Sequence, residues 1–477
     1  MIFTRFYDEG LAQASYLVGC TATGQALIVD PNRDLEQYLR EAAAHGLNIS
    51  AVTETHIHAD FVSGSRELAE RTGAKIYLSA EGGKDWQYQF AEASGAELVR
   101  DGSVIQVGNV RIEVRHTPGH TPEHLSFLVT DGASATDPMG AITGDFLFVG
   151  DVGRPDLLEK AVKVSGSATA AAKTMFESVQ AFKKLPDYLQ IWPGHGAGSA
   201  CGKGMSAVPQ STLGYEKRFN WALLEADETK FVHAILSGQP EPPRYFAEMK
   251  RMNREGPRSL KGFRMPPLLP PERLPSMLSE GTVVVDIRSA QAFAAGHVPG
   301  TISIPLNRSF VTWAGWLIPY THDFVLLVQN RDGGAVARAV RELAMIGLDR
   351  VAGVFDNKAI EQWSAANKPL ITLPELSAAD LAARRPRPVV IDVRGESEWE
   401  AGHINGAQHI PLGYLVERME EVPRDRPVVL HCQGGSRSHI GVSLLQAQGY
   451  TNVHNLIGGM GAWQGAGLPV ERDRSDS

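Results

Sequence analysis

Cysteine is scarce in this chain: 477 residues hold three, Cys20, Cys201 and Cys432. An odd, widely spaced set is no disulfide framework, and the sequence has neither a CxxC pair nor a cysteine-rich metal knuckle. Long apolar runs are missing as well; none approaches the ~18 residues of a membrane-spanning helix. The opening segment, Met1-Ile2-Phe3-Thr4-Arg5-Phe6-Tyr7-Asp8-Glu9, lacks the basic stretch and apolar core of a secretory leader. We therefore expect a cytoplasmic protein in a reducing compartment, without a membrane partner. Excess positive charge is absent too. A formal net charge of −8 argues against a nucleic-acid partner. Hydrophobic residues make up 43%, enough for packed cores, and the length suggests about three domains.

What is present begins with Thr55-His56-Ile57-His58-Ala59-Asp60-Phe61. A β-rich run, Ile49 to Thr53, precedes it, and a helix-like run, Ser65 to Arg71, follows. His56, His58 and Asp60 thus fall in a strand-to-helix loop. Imidazoles and a carboxylate at alternate positions suit a first-row transition metal. Three more segments follow the same rule: Thr117-Pro118-Gly119-His120, Thr143-Gly144-Asp145 and Trp192-Pro193-Gly194-His195. Each sets a His or Asp just past a strand-like run, where functional loops cluster. One such histidine would mean little. Four in this order make a metal site the expected reading. His116 and His124 flank His120 and are expected to pack or hydrogen-bond.

Residues from about Phe3 to about Phe246 resemble the metallo-β-lactamase fold, an αββα sandwich with metal at its loop edge. Many members of that family carry HxHxDH and bind two metals. Here Phe61 stands where the last histidine would, and phenylalanine ligates nothing. The resemblance implies His56, His120 and Asp145 as the ligands of one metal. Two histidines and one carboxylate form the facial triad suited to non-haem Fe(II). His58 and Asp60 are expected to orient ligands and water. His195 belongs beside the metal or in the substrate pocket. With His58 and Asp60 it is also the most that a second metal site could keep. The pattern is similar to the persulfide dioxygenases, which oxidise a thiol persulfide to sulfite. That likeness implies one Fe(II) per chain, with a low-molecular-weight thiol persulfide and O₂ as substrates. Ligand chemistry alone equally allows zinc, as in thioester hydrolases of the glyoxalase II type.

Near this site, Arg154 has the fork to hold a substrate carboxylate, though a pair with Asp156 is equally open. Cys201 lies six residues after His195 in a loop of small residues. It is a candidate to carry a persulfide, with Lys203 favouring its anion and contacting substrate. A buried structural thiol is the other reading. Cys20 ends an apolar strand and is expected to pack in the core.

The C-terminal half repeats itself. Val283-Val284-Val285-Asp286-Ile287-Arg288 matches Val389-Val390-Ile391-Asp392-Val393-Arg394, and Ala295-Gly296-His297 matches Ala401-Gly402-His403. A domain-sized period marks tandem domains, and strands alternating with amphipathic helices point to α/β units with parallel sheets. The expected division is residues 1–250, a Pro-rich linker 251–271, and tandem domains 272–371 and 372–477. In the second copy a strand runs into His431-Cys432-Gln433-Gly434-Gly435-Ser436-Arg437 and then a helix. The backbone amides of Gln433, Gly434, Gly435 and Ser436, with the helix dipole and Arg437, make an anion cradle. Such a cradle favours thiolate at Cys432. The segment resembles the rhodanese sulfurtransferases, which implies Cys432 as the sulfur carrier and Arg437 as its charged neighbour. Aligning strand ends places Gln329 of the first copy where Cys432 stands, with Asp332 opposing an anion. That copy is expected to keep the rhodanese shape without the chemistry.

Taken together, the resemblances imply persulfide oxidation joined to sulfur transfer, with sulfite and thiosulfate as products or substrates. They also lead us to expect a homo-oligomer.

Overall fold

The computed structural model describes residues 1–157, 167–239, 241–331 and 334–472. It divides into two compact units, Met1–Phe263 with Ala344–Gly347, and Arg264–Leu343 with Leu348–Ser477. Asp332 lies outside the described residues.

In the first unit six strands form one sheet in sequence order: β1 (Ile2–Asp8), β2 (Gln13–Cys20), β3 (Gln25–Val29), β4 (Asn48–Thr53), β5 (Lys75–Ser79) and β6 (Glu97–Val99). A second sheet holds β7 (Val104–Val107), β8 (Val110–His116), β9 (Leu125–Asp131), β10 (Gly140–Gly144), β11 (Gln190–Pro193) and β12 (Ser211–Thr212), again in order. Strand β8 shows why these segments choose sheet. Val110, Ile112 and Val114 are buried while Arg111, Glu113 and Arg115 are not, the period of two that a half-buried strand requires. The inner faces meet in a core of Tyr16, Val29, Ile112, Phe127 and Ile142. Helices cover both outer faces. Leu35 and Tyr38 of helix Leu35–Ala44 pack on Leu17 and Ile28. Ala172, Met175 and Val179 of helix Ser167–Phe182 pack on Leu128 and Ile191. The result is the expected αββα sandwich. Strands β8, β10 and β11 point the same way, because β9 is antiparallel to both β8 and β10 while β10 and β11 are parallel. Their C-terminal ends therefore share one edge, and His120, Asp145 and His195 follow those ends.

The expected boundary at residue 250 is corrected by helix Tyr245–Glu255, which runs through it. Its Asn253 is buried. The amide donates to the His58 and Phe61 carbonyls at 2.8 and 2.7 Å, and its Oδ1 accepts from Ser63 N at 2.8 Å. The helix thus belongs to the sandwich and clamps the His-rich loop.

The second unit holds two parallel sheets. The first is ordered β14 (Ile302–Ser303), β13 (Val283–Asp286), β15 (Phe324–Leu327), β16 (Val351–Phe355). The second is ordered β17 (Glu375–Leu376), β22 (Val453–Leu456), β21 (Val428–His431), β18 (Val389–Asp392), β20 (Gln408–His409). A short antiparallel pair, β19 (His403–Ile404) with β23 (Val470–Glu471), completes the second half. The halves share one buried device. Arg288 forks onto Asp286 and donates to the Gly296 carbonyl; Arg394 forks onto Asp392 and donates to the Gly402 carbonyl. Each arginine ties the end of a central strand to the turn after the next helix. No helix among the described residues is long and apolar enough to cross a membrane.

Replacing either arginine by alanine strands a buried carboxylate. We expect Arg288→Ala and Arg394→Ala each to cost about 3–5 kcal/mol in its own half, read by denaturant unfolding.

Candidate metal centre and sulfur-binding loop

Four loops bring His56, His120, Asp145 and His195 together. The Nε2 atoms of His56, His120 and His195 lie 3.9, 3.5 and 3.4 Å from the Asp145 carboxylate. All four side chains are buried. Neither Asp145 oxygen nor His56 Nε2 has a hydrogen-bond partner among the described residues. Buried polar atoms are normally satisfied, so a facing set of bare lone pairs fits a cation. His56, His120 and Asp145 offer atoms that all lie within 4.8 Å of one another.

The hydrogen bonds behind the rings fix which nitrogen faces inward. Thr55 Oγ1 donates its only proton to Asp30 Oδ2 at 2.9 Å, so it accepts from His56 Nδ1–H at 2.9 Å. His120 Nδ1–H donates to the Arg154 carbonyl at 3.0 Å, and His195 Nδ1–H to the Ala12 carbonyl at 2.9 Å. Each arrangement leaves Nε2 toward Asp145, as metal-binding histidines require. Burial holds His56 well below the ordinary histidine pKa and lowers His120, which keeps both rings neutral. At His195 burial is outweighed by Asp145 and Asp60, which together hold the ring well above its ordinary value.

Backbone geometry aims Asp145. A bulge interrupts the β10–β11 register after Ile142, and Gly144 takes φ +49°. His124 Nε2 then accepts from Asp145 N at 3.1 Å, while its Nδ1–H donates to Thr117 Oγ1 at 2.9 Å. The expectation that His124 hydrogen-bonds rather than ligates agrees with this. His116 likewise reaches the Pro122 carbonyl at 2.8 Å.

The remaining positions divide. His58 turns away from the carboxylate and meets Asp30 at 3.1 Å, which raises it to about 9 against the opposing effect of burial. Asp60 Oδ2 lies 3.2 Å from His195 Nε2, and Asp60, His195 and Cys201 form a second convergent group. Phe61 is fully buried and rests on the His58 ring at 4.4 Å between centroids. Arg154 corrects the substrate-binding expectation. It is fully buried, its fork is closed on Asp156 at 2.7 and 2.6 Å, and Nη1 donates to the Ala200 carbonyl. Lys203 corrects it too, because its ammonium donates to the Ala234 and Ser237 carbonyls. It therefore does not serve the Cys201 anion. Burial, with Asp145 and Asp60, pushes that thiol up to about 12. Sequence reasoning missed Asp30, which accepts from Thr55 N and Oγ1 as well as facing His58. It also missed Glu123, buried and accepting from Ile57 N at 2.9 Å.

In the second unit Cys432 follows β21 and is 1% exposed. Gly435 takes φ +95° at the start of helix Ser436–Ala447 and donates its N–H to Cys432 Sγ at 3.1 Å. Ser438 Oγ adds a contact at 3.6 Å. Gly459 presses on the loop from behind; a Cβ there would lie 2.1 Å from the Cys432 carbonyl oxygen. Gln433, Gly434 and Ser436 are exposed at the loop surface. Glu398 holds the Arg437 guanidinium at 2.6 and 2.7 Å, and the guanidinium also hydrogen-bonds Cys432, as expected of its charged neighbour. The other half needs a correction. Asp286 pairs with Leu327 as Asp392 pairs with His431, so Val328, not Gln329, occupies the place of Cys432. Val328 is buried and has no nucleophile.

Gly153 is packed so that a Cβ would sit 1.7 Å from the Asp145 carbonyl oxygen and 3.2 Å from His120 Cβ. Gly153→Ala should therefore displace Asp145 and lower bound metal per chain by more than half, as elemental analysis would read, at a cost of about 1–3 kcal/mol in stability.

The metallo-beta-lactamase superfamily matches residues 8–195, and the rhodanese-like domain matches residues 270–366 and 377–466. A solved metallo-beta-lactamase from Staphylococcus aureus subsp. aureus COL is 44% identical, with TM-score 0.67, over 75% of this chain and 99% of that one. A sulfurtransferase from Allochromatium vinosum is 40% identical over 17% of this chain and 77% of its own length. A beta-lactamase hydrolase-like protein from Xylella fastidiosa is 27% identical over 48% of this chain, which spans 53% of that relative's length. The chain thus belongs to the metallo-beta-lactamase superfamily, with an N-terminal domain of that family followed by two rhodanese-like domains.

Proposed function

We propose that the protein oxidises a low-molecular-weight thiol persulfide with O₂ and transfers sulfane sulfur through Cys432. The balanced reaction is RSSH + O₂ + H₂O giving RSH and sulfurous acid, which ionises to sulfite. The carrying observation is the ligand set. His56, His120 and Asp145 converge with unpartnered atoms, and Phe61 fills the place from which a further histidine would serve a second metal. Two imidazoles and a carboxylate suit iron(II), which when bound would supply O₂ activation and a seat for the persulfide sulfur.

The chain's own groups do the rest. Thr55 and Arg154 fix the ligand tautomers through the hydrogen bonds above. His195, oriented by the Ala12 carbonyl, sets its Nε2 beside Asp60 and Asp145 at the edge of the site. The buried setting excludes bulk water from those charges. At the other site, Gly435 N–H steadies negative charge on Cys432 as sulfur arrives and leaves. The name of the Allochromatium relative supports the transfer step. Cytoplasmic placement and homo-oligomerisation belong to the same proposal.

A zinc-dependent thioester hydrolase fused to a sulfurtransferase is the second reading. It draws on the convergence of Asp60, His195 and Cys201, which could hold a second cation.

The separating experiment is elemental analysis paired with an oxygen electrode. Near one iron per chain and immediate O₂ uptake on adding glutathione persulfide, with sulfite formed, are expected. Zinc, no O₂ uptake and cleavage of a glutathione thioester would replace this reading with the second. Cys432→Ser should abolish sulfur transfer from thiosulfate while leaving persulfide-dependent O₂ uptake within about twofold. Loss of both would show that the two sites act as one.

A further inference from the structure

The Cys-bearing half carries three carboxylates on one short helix: Glu396, Glu398 and Glu400 of Glu396–Glu400. The register set by Asp286 and Asp392 places Ala290, Ala292 and Ala294 of the Cys-less half at the same positions, and these too are helical. The fold therefore does not need acidic residues there. They stand only in the half that has the nucleophile.

Glu398 is the one that reaches the Cys432 loop. Its Oε2 accepts from Gly395 N at 3.2 Å and from Arg437 Nη1 at 2.6 Å, and its Oε1 accepts from Arg437 Nη2 at 2.7 Å. A two-point fork is the strong form of such a contact. Burial opposes the carboxylate charge, but Arg437 outweighs it and holds Glu398 below the usual carboxylate range. The same guanidinium hydrogen-bonds Cys432. The other donors to that sulfur among the described residues, Gly435 N and Ser438 Oγ, are neutral. Arg394 adds no free charge, because its fork is closed on Asp392. Around the loop two guanidinium groups thus face three carboxylates, Glu398, Asp392 and Glu396, the last with His409 at 3.5 Å. Neither guanidinium is left unbalanced for an incoming dianion.

We propose that Glu398 determines which sulfur donors Cys432 accepts: it neutralises Arg437, and so turns the site against doubly charged donors such as thiosulfate and toward donors of lower charge. This rests on the sulfurtransferase reading above. Glu398 acts through Arg437 and is a positioning residue. In the step it governs, the Cys432 thiolate attacks the outer sulfur of the donor. The Sγ–S bond forms, and the bond from that sulfur to the rest of the donor breaks. Its electron pair leaves with sulfite from thiosulfate, or with a sulfinate from a thiosulfonate. Cyanide then takes the outer sulfur as thiocyanate, and the electron pair of the Sγ–S bond returns to Cys432.

The test uses the full chain with cyanide as acceptor and compares thiosulfate, a dianion, with methanethiosulfonate, a monoanion. Glu398→Gln should raise kcat/KM for thiosulfate about tenfold, and for methanethiosulfonate by no more than about threefold. Glu398→Ala, which installs the side chain of the sister half, should act in the same direction. Added salt should raise kcat/KM for thiosulfate in the wild-type chain, where like charges are screened, and lower it in Glu398→Gln, where Arg437 attracts the donor. Glu400→Gln removes an exposed carboxylate from the same helix and should leave both donors within about twofold. Unchanged or reduced kcat/KM for thiosulfate in both Glu398 variants would make the ion pair structural and overturn the proposal. So would equal gains with the two donors, the same salt dependence in wild type and Glu398→Gln, or a matching gain in Glu400→Gln. Failure of the wild-type chain to transfer sulfur from either donor would instead remove the sulfurtransferase reading itself.

Discussion

The N-terminal domain is organised around one electrostatic cost, the burial of the Asp145 carboxylate. It is 1% exposed and receives no hydrogen bond on either oxygen from the described residues. A lone buried anion costs several kcal/mol. Of the three imidazole edges within 3.9 Å, those of His56 and His120 turn lone pairs toward it, so the charge is one that a bound cation would balance. The neighbourhood serves that arrangement. The bulge at Gly144, the close approach of Gly153, and the His124 contact to Asp145 N all aim one carboxylate at one point. Asn253 and Glu123 do the same for the His-rich loop, by capturing its carbonyls and its central amide.

The loops that bring His56, His120, Asp145 and His195 together were legible in the sequence because each follows a strand, and parallel neighbours deliver their C-terminal ends to a common edge. The supports were not. Asp30, Glu123 and Asn253 act on residues 25 to 195 positions away, and no local pattern records such a contact. Arg154 shows the opposite failure: Asp156 stands two residues on, visible in the sequence, but only burial decides between a structural pair and a substrate clamp. Lys203 finds carbonyls 31 and 34 residues away. The domain repeat and the parallel sheets were readable. The boundary at 250 was not, because a basic, turn-prone composition downstream concealed a helix that is buried along one face.

The two rhodanese halves separate frame from chemistry. Both keep the Asp–Arg fork and its glycine carbonyl, so both keep the strand ends and the turn in place. One register position differs in kind, thiol against isopropyl. Val328 continues the apolar character of its strand, which is why sequence alone set the strand end one residue too late. Pairing with Asp286 sets it correctly.

The chain from Asp30 through Thr55 to His56 has a direction. A hydroxyl has a single proton, and Asp30 has claimed it. His56 must then give its Nδ1 proton to the oxygen and present a bare nitrogen on the other side. The Arg154 carbonyl, which has nothing to donate, imposes the same choice on His120. Neither ring would have a proton to surrender to a cation bound there. At these two candidate ligands the fold has already settled the proton inventory.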